Sequence, residues 1–220
     1  MERHKIIVVI PSYNELKTLK NIIISVNKLL PVMVIDDCSD DGTYEFLKKK
    51  KIPYIRNNKQ IGYENSLIKS FKYIIKFKKK ISHIITMDAD GEHPPKELKK
   101  FMKLKNYNLV IGKRDNFNRK IEYFISYIFK KKFELLDPLS GFKMYSVKIL
   151  KEIKKFEKDY FLVDLASYII SLNKKKCINI CIKVKKRIGE SKLNKIFQLY
   201  FKMVNIILFI YFFTKYENRT

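Results

Sequence analysis

Short apolar runs alternate with longer amphipathic segments along the first half of the chain. Runs of β-branched and aliphatic residues predict five buried strands, at Ile6–Ile10, Val32–Ile35, Ile52–Ile55, Ile81–Met87 and Leu109–Ile111. Apolar residues at helical spacing predict four intervening helices, over Leu16–Leu30, from Asp41-Gly42-Thr43 to about Lys50, over Ser66–Phe77 and from Pro94-Pro95 to about Leu104. Strands and helices that alternate in this way predict an α/β fold with a mostly parallel central sheet flanked by helices.

Polar loops follow three of the predicted strands. The first strand is expected to end at Pro11-Ser12 and to lead into Tyr13-Asn14-Glu15, the second leads into Asp36-Asp37-Cys38-Ser39, and the fourth into Asp88-Ala89-Asp90. Because the carboxyl ends of parallel strands share one edge of the sheet, where such folds bind ligands, these loops are expected to converge on one site. No Gly-x-Gly-x-x-Gly or Walker A loop is present, which argues against a dinucleotide enzyme, a P-loop NTPase and a nucleotidyltransferase.

The Asp88-x-Asp90 pair is the most informative of these loops. Two carboxylates at the end of a buried strand offer hard oxygen ligands, which suit a Mg²⁺ or Mn²⁺ ion bridging the phosphates of a nucleotide. Glu92 follows two residues later and is a candidate third ligand. Taken alone, the pattern is more typical of two solvated acids in a polar loop than of a metal site.

The composition indicates a globular, basic protein. Its 220 residues fit one domain, 46% are hydrophobic, and 47 Lys and Arg against 22 Asp and Glu give a formal net charge of +25. This charge favours anionic partners such as phosphorylated substrates, anionic lipid or nucleic acid, although abundant Lys, Ile and Asn are also typical of compositional drift. No recognition helix, RNP-like motif or zinc spacing supports nucleic-acid binding. Cys177 and Cys181 are expected to be buried strand residues in a reduced, cytoplasmic protein without a signal peptide.

Five ordered motifs together resemble a known enzyme family. They are Val9–Glu15, Val34–Thr43, Met87–Pro95, Asp137–Tyr145 and Gly189–Leu193, and as a set they resemble family 2 glycosyltransferases of the GT-A fold. The last two look like the dolichol-phosphate mannose synthase branch, the polyprenyl-phosphate glycosyltransferases. The resemblance covers roughly residues 5 to 195 and implies a glycosyltransferase domain over 1–195, followed by a C-terminal segment, 196–220.

This resemblance implies an inverting, metal-dependent enzyme that moves a hexose from a nucleotide-diphosphate sugar to a polyprenyl phosphate. It implies nucleotide-sugar contacts from Pro11, Tyr13, Glu15, Asp37, Asp88, Ala89, Asp90 and Arg114, a Mg²⁺ or Mn²⁺ site at Asp88, Asp90 and Glu92, and acceptor or phosphate contacts from Lys186, Arg187 and Lys192. Arg119 is a further candidate for the phosphate, but the loop around it aligns poorly, which is more typical of a solvated surface arginine. Asp90, Asp137 and Lys192 are the expected catalytic residues. Asp137 is either near the position of a general base or a structural acid at the Pro138 turn. Ser39 and Asp41 are more strongly expected than Asp37 to cap a helix.

The chain departs from the family pattern at three positions. Glu92 stands where relatives often have glutamine, Lys143 replaces the arginine of a Ser-Gly-Phe-Arg motif, and Lys186 replaces an arginine before the Gly189 motif. Lysine keeps the positive charge of arginine but loses its bidentate fork, so these positions are expected to hold a phosphate with less defined geometry.

Two apolar, basic segments bear on the acceptor. Leu193–Phe213 is expected to be helical, but its apolar part, Met203–Phe213, is shorter than the roughly 20 residues that cross a bilayer. It is either an anchor on an anionic membrane surface or a helix packed on the domain or on a membrane-anchoring partner subunit. Tyr123–Phe133 is either core or a lipid-facing lid. The expected location of the protein is therefore the cytoplasmic face of a membrane. The alternative functions are a soluble family 2 transferase with a sugar acceptor and, less favoured, a nucleic-acid-binding module.

Overall fold

One mixed sheet organises the protein. The computed structural model describes residues 5–117, 119–152 and 176–186. Within them seven strands run in the order β3-β2-β1-β4-β6-β5-β7, with bounds β1 Ile6–Ser12, β2 Val32–Asp36, β3 Tyr54–Arg56, β4 His83–Thr86, β5 Leu109–Arg114, β6 Lys143–Ser146 and β7 Cys177–Ile182. The helices are α1 Leu16–Asn27, α2 Thr43–Lys49, α3 Tyr63–Phe77, α4 Leu98–Met102 after a 3₁₀ turn at Pro95–Glu97, α5 Lys120–Phe133 and α6 Val147–Glu152.

The predicted fold class is confirmed, with one antiparallel strand. β1 pairs in parallel with β2 and β4, β2 with β3, and β5 with β7. β6 lies between β4 and β5 and is antiparallel to both. The loop that enters β6 therefore lies at the same edge of the sheet as the carboxyl ends of β4 and β5.

Helices cover both faces of the sheet. Side chains of a strand alternate between its two faces. Ile7 and Val9 of β1 accordingly pack in a cluster with residues of α3, α5 and α6, whereas Val8 and Ile10 pack with residues of α1, α2 and α4. This arrangement leaves the carboxyl edge of the sheet to the polar loops.

Several predicted boundaries are wrong, and the reasons are local. β1 continues through Pro11 to Ser12, because beyond Val9 it pairs only with β2 and the missing N–H of proline interrupts no bond to β4. β6 was not predicted, because the polar residues Lys143 and Ser146 interrupt the apolar run that a fully buried strand usually shows. All four residues of the strand are nevertheless buried. The prediction that Cys177 and Cys181 lie in a strand is confirmed, but neither is buried: Cys177 is half-buried and Cys181 is exposed. Among the described strands, β7 is an edge strand of the sheet and pairs with β5 alone.

The C-terminal prediction lies outside the described residues. Arg187, Lys192 and the segment 196–220 all belong to that part of the chain. Among the residues that the structure describes, no helix is both long enough and apolar enough to pass through a bilayer.

Candidate active site

Polar side chains from four strands meet at one edge of the sheet. Asp36 and Asp37 come at the end of β2, Asp88 and Asp90 follow β4, and Arg114 ends β5. The loop 137–141 joins them because β6 is antiparallel. The predicted convergence of the strand-end loops is therefore confirmed, and the loop before β6 adds a fourth segment.

The loops after β1 and β2 are tied together by hydrogen bonds. Asn14 donates its backbone N–H to Ser39 Oγ at 3.0 Å, and its side-chain oxygen accepts the N–H of Asp40 at 3.0 Å. Asp41 accepts the N–H of Leu16, the first residue of α1, and that of Thr43, the first residue of α2. Asp41 thus caps two helices, whereas Ser39 holds the loop after β1 and caps neither. Tyr13 and Glu15 lie, half-buried, in that fixed loop.

Asp37 fixes the turn that starts α3. One of its oxygens accepts from Asn57 Nδ2 at 2.8 Å and from the N–H of Ile61 at 2.9 Å, and the other accepts from the N–H of Gly62 at 2.9 Å. Gly62 has a φ of +88°, which favours glycine at this position. Asp37 is 4% exposed, so within this structure its carboxylate orders the rim of the expected nucleotide site.

Asp88 is the more accessible member of the Asp-x-Asp pair. Its Oδ1 accepts a hydrogen bond from the hydroxyl of Tyr63 at 2.7 Å. Its backbone N–H donates to Nδ1 of the buried His93 at 3.3 Å. His93 also packs against Phe142, with ring centroids 5.0 Å apart. Desolvation of the Tyr63 hydroxyl and the negative charge of Asp88 raise the pKa of Tyr63 well above its usual value, which keeps the hydroxyl a donor.

Asp90 and Glu92 are almost fully buried beside Asp88. Asp90 Oδ1 accepts the N–H of Glu92 at 2.9 Å, and Glu92 Oε1 lies 3.6 Å from Nη1 of Arg114. Burial raises the pKa of Glu92 despite the opposing effects of His93 and Arg114. Within the described ranges, no group of three His, Cys, Asp or Glu side chains is arranged to hold a metal ion. The role of Glu92 as a third ligand remains a prediction, and in this structure its carboxylate faces Arg114.

Arg114 and Asp137 form the strongest ion pair of the site. Arg114 Nε donates to Asp137 Oδ2 at 2.8 Å and Nη2 to Oδ1 at 3.1 Å, while the Arg114 backbone N–H donates to Oδ2 at 3.1 Å. The two residues are 6% and 1% exposed. Nη1 of Arg114 is also 3.6 Å from Glu122 of α5. Desolvation lowers the pKa of Arg114, but Asp137 and the other acids outweigh it, so the net shift is upward and the guanidinium stays charged.

Comparison with known proteins assigns the chain to a family. A family model described as Glycosyl transferase family 2 matches residues 7–155. The chain belongs to this family. Its relatives include an uncharacterized protein of Methanocaldococcus jannaschii, 36% identical over 121 residues that make up 52% of this chain and 48% of that protein. The dolichol-phosphate mannosyltransferase of Pyrococcus furiosus is 31% identical over 121 residues, which cover 50% of this chain and 33% of that protein.

The solved structures identify the fold. Mannosyl-3-phosphoglycerate synthase from Rubrobacter xylanophilus matches with a TM-score of 0.65 and 14% identity, covering 98% of this chain and 75% of that chain. At this identity the likeness concerns the fold alone, which is the GT-A fold. The chain spans half or less of the length of the two curated relatives named above, 48% and 33%.

The predicted phosphate-binding residues of this family 2 glycosyltransferase are only partly described. Lys186 lies just beyond β7, where the neighbouring Lys185 donates its N–H to the carbonyl of Glu92 at 2.9 Å. This contact brings the segment to the site edge. Arg119 immediately precedes α5, in the same part of the fold as Glu122. Lys143, in contrast, is 3% exposed and donates to the carbonyls of Pro138 and Ser140, so its ammonium holds the loop before β6 together.

Sequence reasoning missed three residues of this site. Tyr63 contacts Asp88, Asn57 supports Asp37, and Gly141 packs so closely on the Asp88 carboxylate that any side chain there would collide with it. Gly141 lies inside a family-like motif, which is a signal for its importance. Tyr63 and Asn57 carry no such signal, because their roles depend on the turn between β3 and α3.

Proposed function

We propose that the protein is an inverting glycosyltransferase that moves a hexose from a nucleotide-diphosphate sugar to a polyprenyl phosphate at the cytoplasmic face of a membrane. The acidic pair Asp88 and Asp90, at the carboxyl edge of a family 2 glycosyltransferase sheet, is the observation that carries the donor half of this proposal. The two hydrogen bonds that the guanidinium of Arg114 donates to Asp137 are the observation that supports a phosphate as the acceptor.

The acidic pair fits a divalent cation bound together with the donor diphosphate. Mg²⁺ is usually held by one or two carboxylates, water and substrate phosphates, and it does not require a cage of three protein ligands. Glu92, Glu122 and Asp137 surround Arg114, and Asp88 and Asp90 lie in the same loop as Glu92, so acidic side chains are concentrated here in a chain whose net charge is +25. A Mg²⁺ or Mn²⁺ ion would be held by Asp88 and Asp90 and would stabilise the leaving nucleoside diphosphate.

The donor's nucleoside would lie against the loops after β1 and β2. Tyr13, Glu15 and Asp37 belong to these loops, and Pro11 lies near the end of β1. The contacts through Ser39 and Asp41 hold the loops in one arrangement. Such prior ordering lowers the entropy lost when the donor binds. In this proposal Asp37 acts through the turn that it fixes as well as through its own carboxylate.

The state of Asp137 favours a phosphate acceptor over a sugar hydroxyl. A hydroxyl acceptor must lose its proton during attack and needs a general base within hydrogen-bonding reach. Asp137 is instead held by three hydrogen bonds from Arg114 and is 1% exposed. A phosphate monoester is already an anionic nucleophile near neutral pH and needs no such base. Lys186, together with Arg187 and Lys192 outside the described residues, would attract that phosphate.

The outer face of α5 supports a lipid acceptor. Tyr123, Phe124 and Tyr127 follow one another at helical spacing and are 53%, 52% and 56% exposed. Lys131 places its ammonium 4.8 Å from the ring of Tyr127, and Glu122 on the same helix lies 3.6 Å from Arg114. Aromatic rings beside lysines are typical of helices that lie in a membrane interface. The inward residues Ile125 and Phe129 are core, so the core alternative holds for the inner face, and this proposal assigns the lipid-facing role to the outer face alone.

The outer face of α5 gives a direct test of membrane contact. Replacing Tyr123, Phe124 and Tyr127 with serine is expected to weaken binding to anionic vesicles at least about tenfold, since three aromatic rings no longer enter the interface. Vesicle sedimentation with a fixed protein concentration measures this change. Phe77→Ser is the matched control, because Phe77 is an equally exposed ring, 58%, on α3. Unchanged vesicle binding of the triple variant would exclude this face as the membrane contact.

The acceptor proposal is tested by comparing acceptors with the same protein. Purified protein is supplied with GDP-mannose or UDP-glucose, Mn²⁺, and either a polyprenyl phosphate in vesicles or free sugars. Transfer to the polyprenyl phosphate alone supports the proposal. Transfer to free sugars, with none to the lipid, would establish the alternative of a transferase that acts on sugar acceptors. A thermal melt with GDP, UDP and the two donors, with and without Mn²⁺, identifies the base.

A further inference from the structure

The orientation of the Asp88 carboxylate depends more on contacts from other segments than that of Asp90 does. The Asp88 side chain is 22% exposed, whereas Asp90 is 4% exposed and is bonded within its own loop to the N–H of Glu92. A carboxylate at a solvent-facing edge can rotate among several rotamers, which weakens its use as a ligand. The contacts that hold Asp88 therefore determine how well the acidic pair is prepared for a cation.

Two residues from distant parts of the chain enclose this carboxylate. Tyr63 donates its hydroxyl to Oδ1 at 2.7 Å from the first residue of α3. Gly141 lies on the opposite segment and leaves no space for even a methyl group beside the same carboxylate. Gly141 is itself held, because its carbonyl accepts the hydroxyl of Thr86 at 2.7 Å. Asp88 is thus confined between a hydrogen-bond donor and a backbone surface.

A hydrogen-bonded turn immediately before Tyr63 fixes the position of its phenol. Both N–H groups that precede it, those of Ile61 and Gly62, donate to Asp37, and Asn57 supports the same carboxylate. Tyr63 is 38% exposed and lies at a helix start, so core packing does not explain its position. The network joins the end of β2, where the nucleoside is expected, to the end of β4, where the cation is expected.

We infer that Tyr63 is a positioning residue of the donor site, which holds the Asp88 carboxylate in the orientation that binds a divalent cation. The inference rests on the proposed function, which places a divalent cation at Asp88 and Asp90, and it adds Tyr63 to the residues that support this cation. A carboxylate that binds a cation retains lone pairs for a hydrogen bond, and loss of such a supporting bond typically weakens metal affinity roughly 10- to 100-fold. The bond also makes the fixed turn after Asp37 part of the cation site.

Cation affinity tests the inference without recourse to turnover. Mn²⁺ is titrated into the wild-type protein, Tyr63→Phe, Asp88→Asn and the control Tyr73→Phe, each with saturating GDP or UDP, and free Mn²⁺ is followed by electron paramagnetic resonance. Tyr63→Phe is expected to weaken Mn²⁺ binding roughly 10- to 100-fold. Tyr73→Phe keeps wild-type affinity, because its ring packs on Phe77 near the opposite end of α3.

A spectroscopic measurement locates the cation independently. The chain has 14 tyrosines and no tryptophan, so luminescence of bound Tb³⁺ excited at the aromatic band comes through tyrosine. A lanthanide bound to Oδ1 of Asp88 at about 2.4 Å would lie within about 5 Å of the Tyr63 hydroxyl, which is 2.7 Å from the same oxygen. Tyr63→Phe is expected to remove most of this emission, and Tyr73→Phe to preserve it.

The possible outcomes separate the inference from the proposed function. If Asp88→Asn abolishes Mn²⁺ binding and Tyr63→Phe leaves it unchanged, the cation site stands and the positioning role of Tyr63 is wrong. Tighter Mn²⁺ binding by Tyr63→Phe would likewise overturn the inference, because the phenol would then compete with the cation. If the wild-type protein binds no Mn²⁺, or binds it equally well without Asp88, the cation itself is wrong and the inference falls with it.

Discussion

Asp90→Asn is expected to lower turnover roughly 100- to 1000-fold, the usual effect of removing a group that stabilises charge in the transition state. Asparagine keeps an oxygen where Asp90 accepts the N–H of Glu92 at 2.9 Å, so the loop can retain its shape. The substitution removes one negative charge from a buried acidic cluster, and the folded state is therefore expected to be at least as stable as wild type. Initial rates with saturating donor and a thermal melt measure the two effects together.

Glu92→Gln is the control for Asp90→Asn. It removes the same charge two residues away, but Glu92 faces Arg114 at 3.6 Å and glutamine still offers an oxygen. Its turnover is expected to remain within a few-fold of wild type. Near-normal turnover of Asp90→Asn would show that the acidic pair does not serve the donor, and equal losses in both variants would place Glu92 among the ligands.

Local patterns along the chain were sufficient to predict the strands that carry the site and the edge of the sheet at which it lies. Buried parallel strands are apolar on both faces, so β1, β2 and β4 can be recognised from uninterrupted runs such as Ile6–Ile10. The polar residues that end these runs must lie at one edge of the sheet, whatever the details of the loops. The acidic pair after β4 could therefore be placed in a ligand site before its contacts were known.

Contacts between distant segments could not be predicted in this way. Arg114 and Asp137 are 23 residues apart, and their pairing depends on β6, whose antiparallel course has no periodic signal in four residues. The spacing of Glu92 from Asp90 suggests a third metal ligand, but the carboxylate can equally turn towards Arg114. Tyr63 reaches Asp88 only because Gly62 and Asp37 set the start of α3, three residues before the predicted start at Ser66.

Arg114→Ala is expected to destabilise the protein by about 3–5 kcal/mol, the usual cost of removing one partner of a buried ion pair. The substitution leaves Asp137 buried without its guanidinium and leaves Glu92 and Glu122 without the cation that each approaches to 3.6 Å. A loss of this size is a large part of the roughly 5–15 kcal/mol that stabilises most domains. Urea unfolding followed by circular dichroism measures it, and Lys113→Ala on the same strand is the control.

A double variant distinguishes a structural pair from a pair that serves the substrate. Asp137→Ala combined with Arg114→Ala removes both charges, so its loss of stability is expected to be smaller than the sum of the two single losses. Arg114→Lys keeps the charge but cannot form the bidentate bond, and its stability should fall between wild type and Arg114→Ala. If the free energy of unfolding of Arg114→Ala is within about 1 kcal/mol of the wild-type value, the loss is below the range for buried ion pairs. The pair then does not stabilise the fold. A loss of donor binding in that stable variant would then assign Arg114 to the diphosphate.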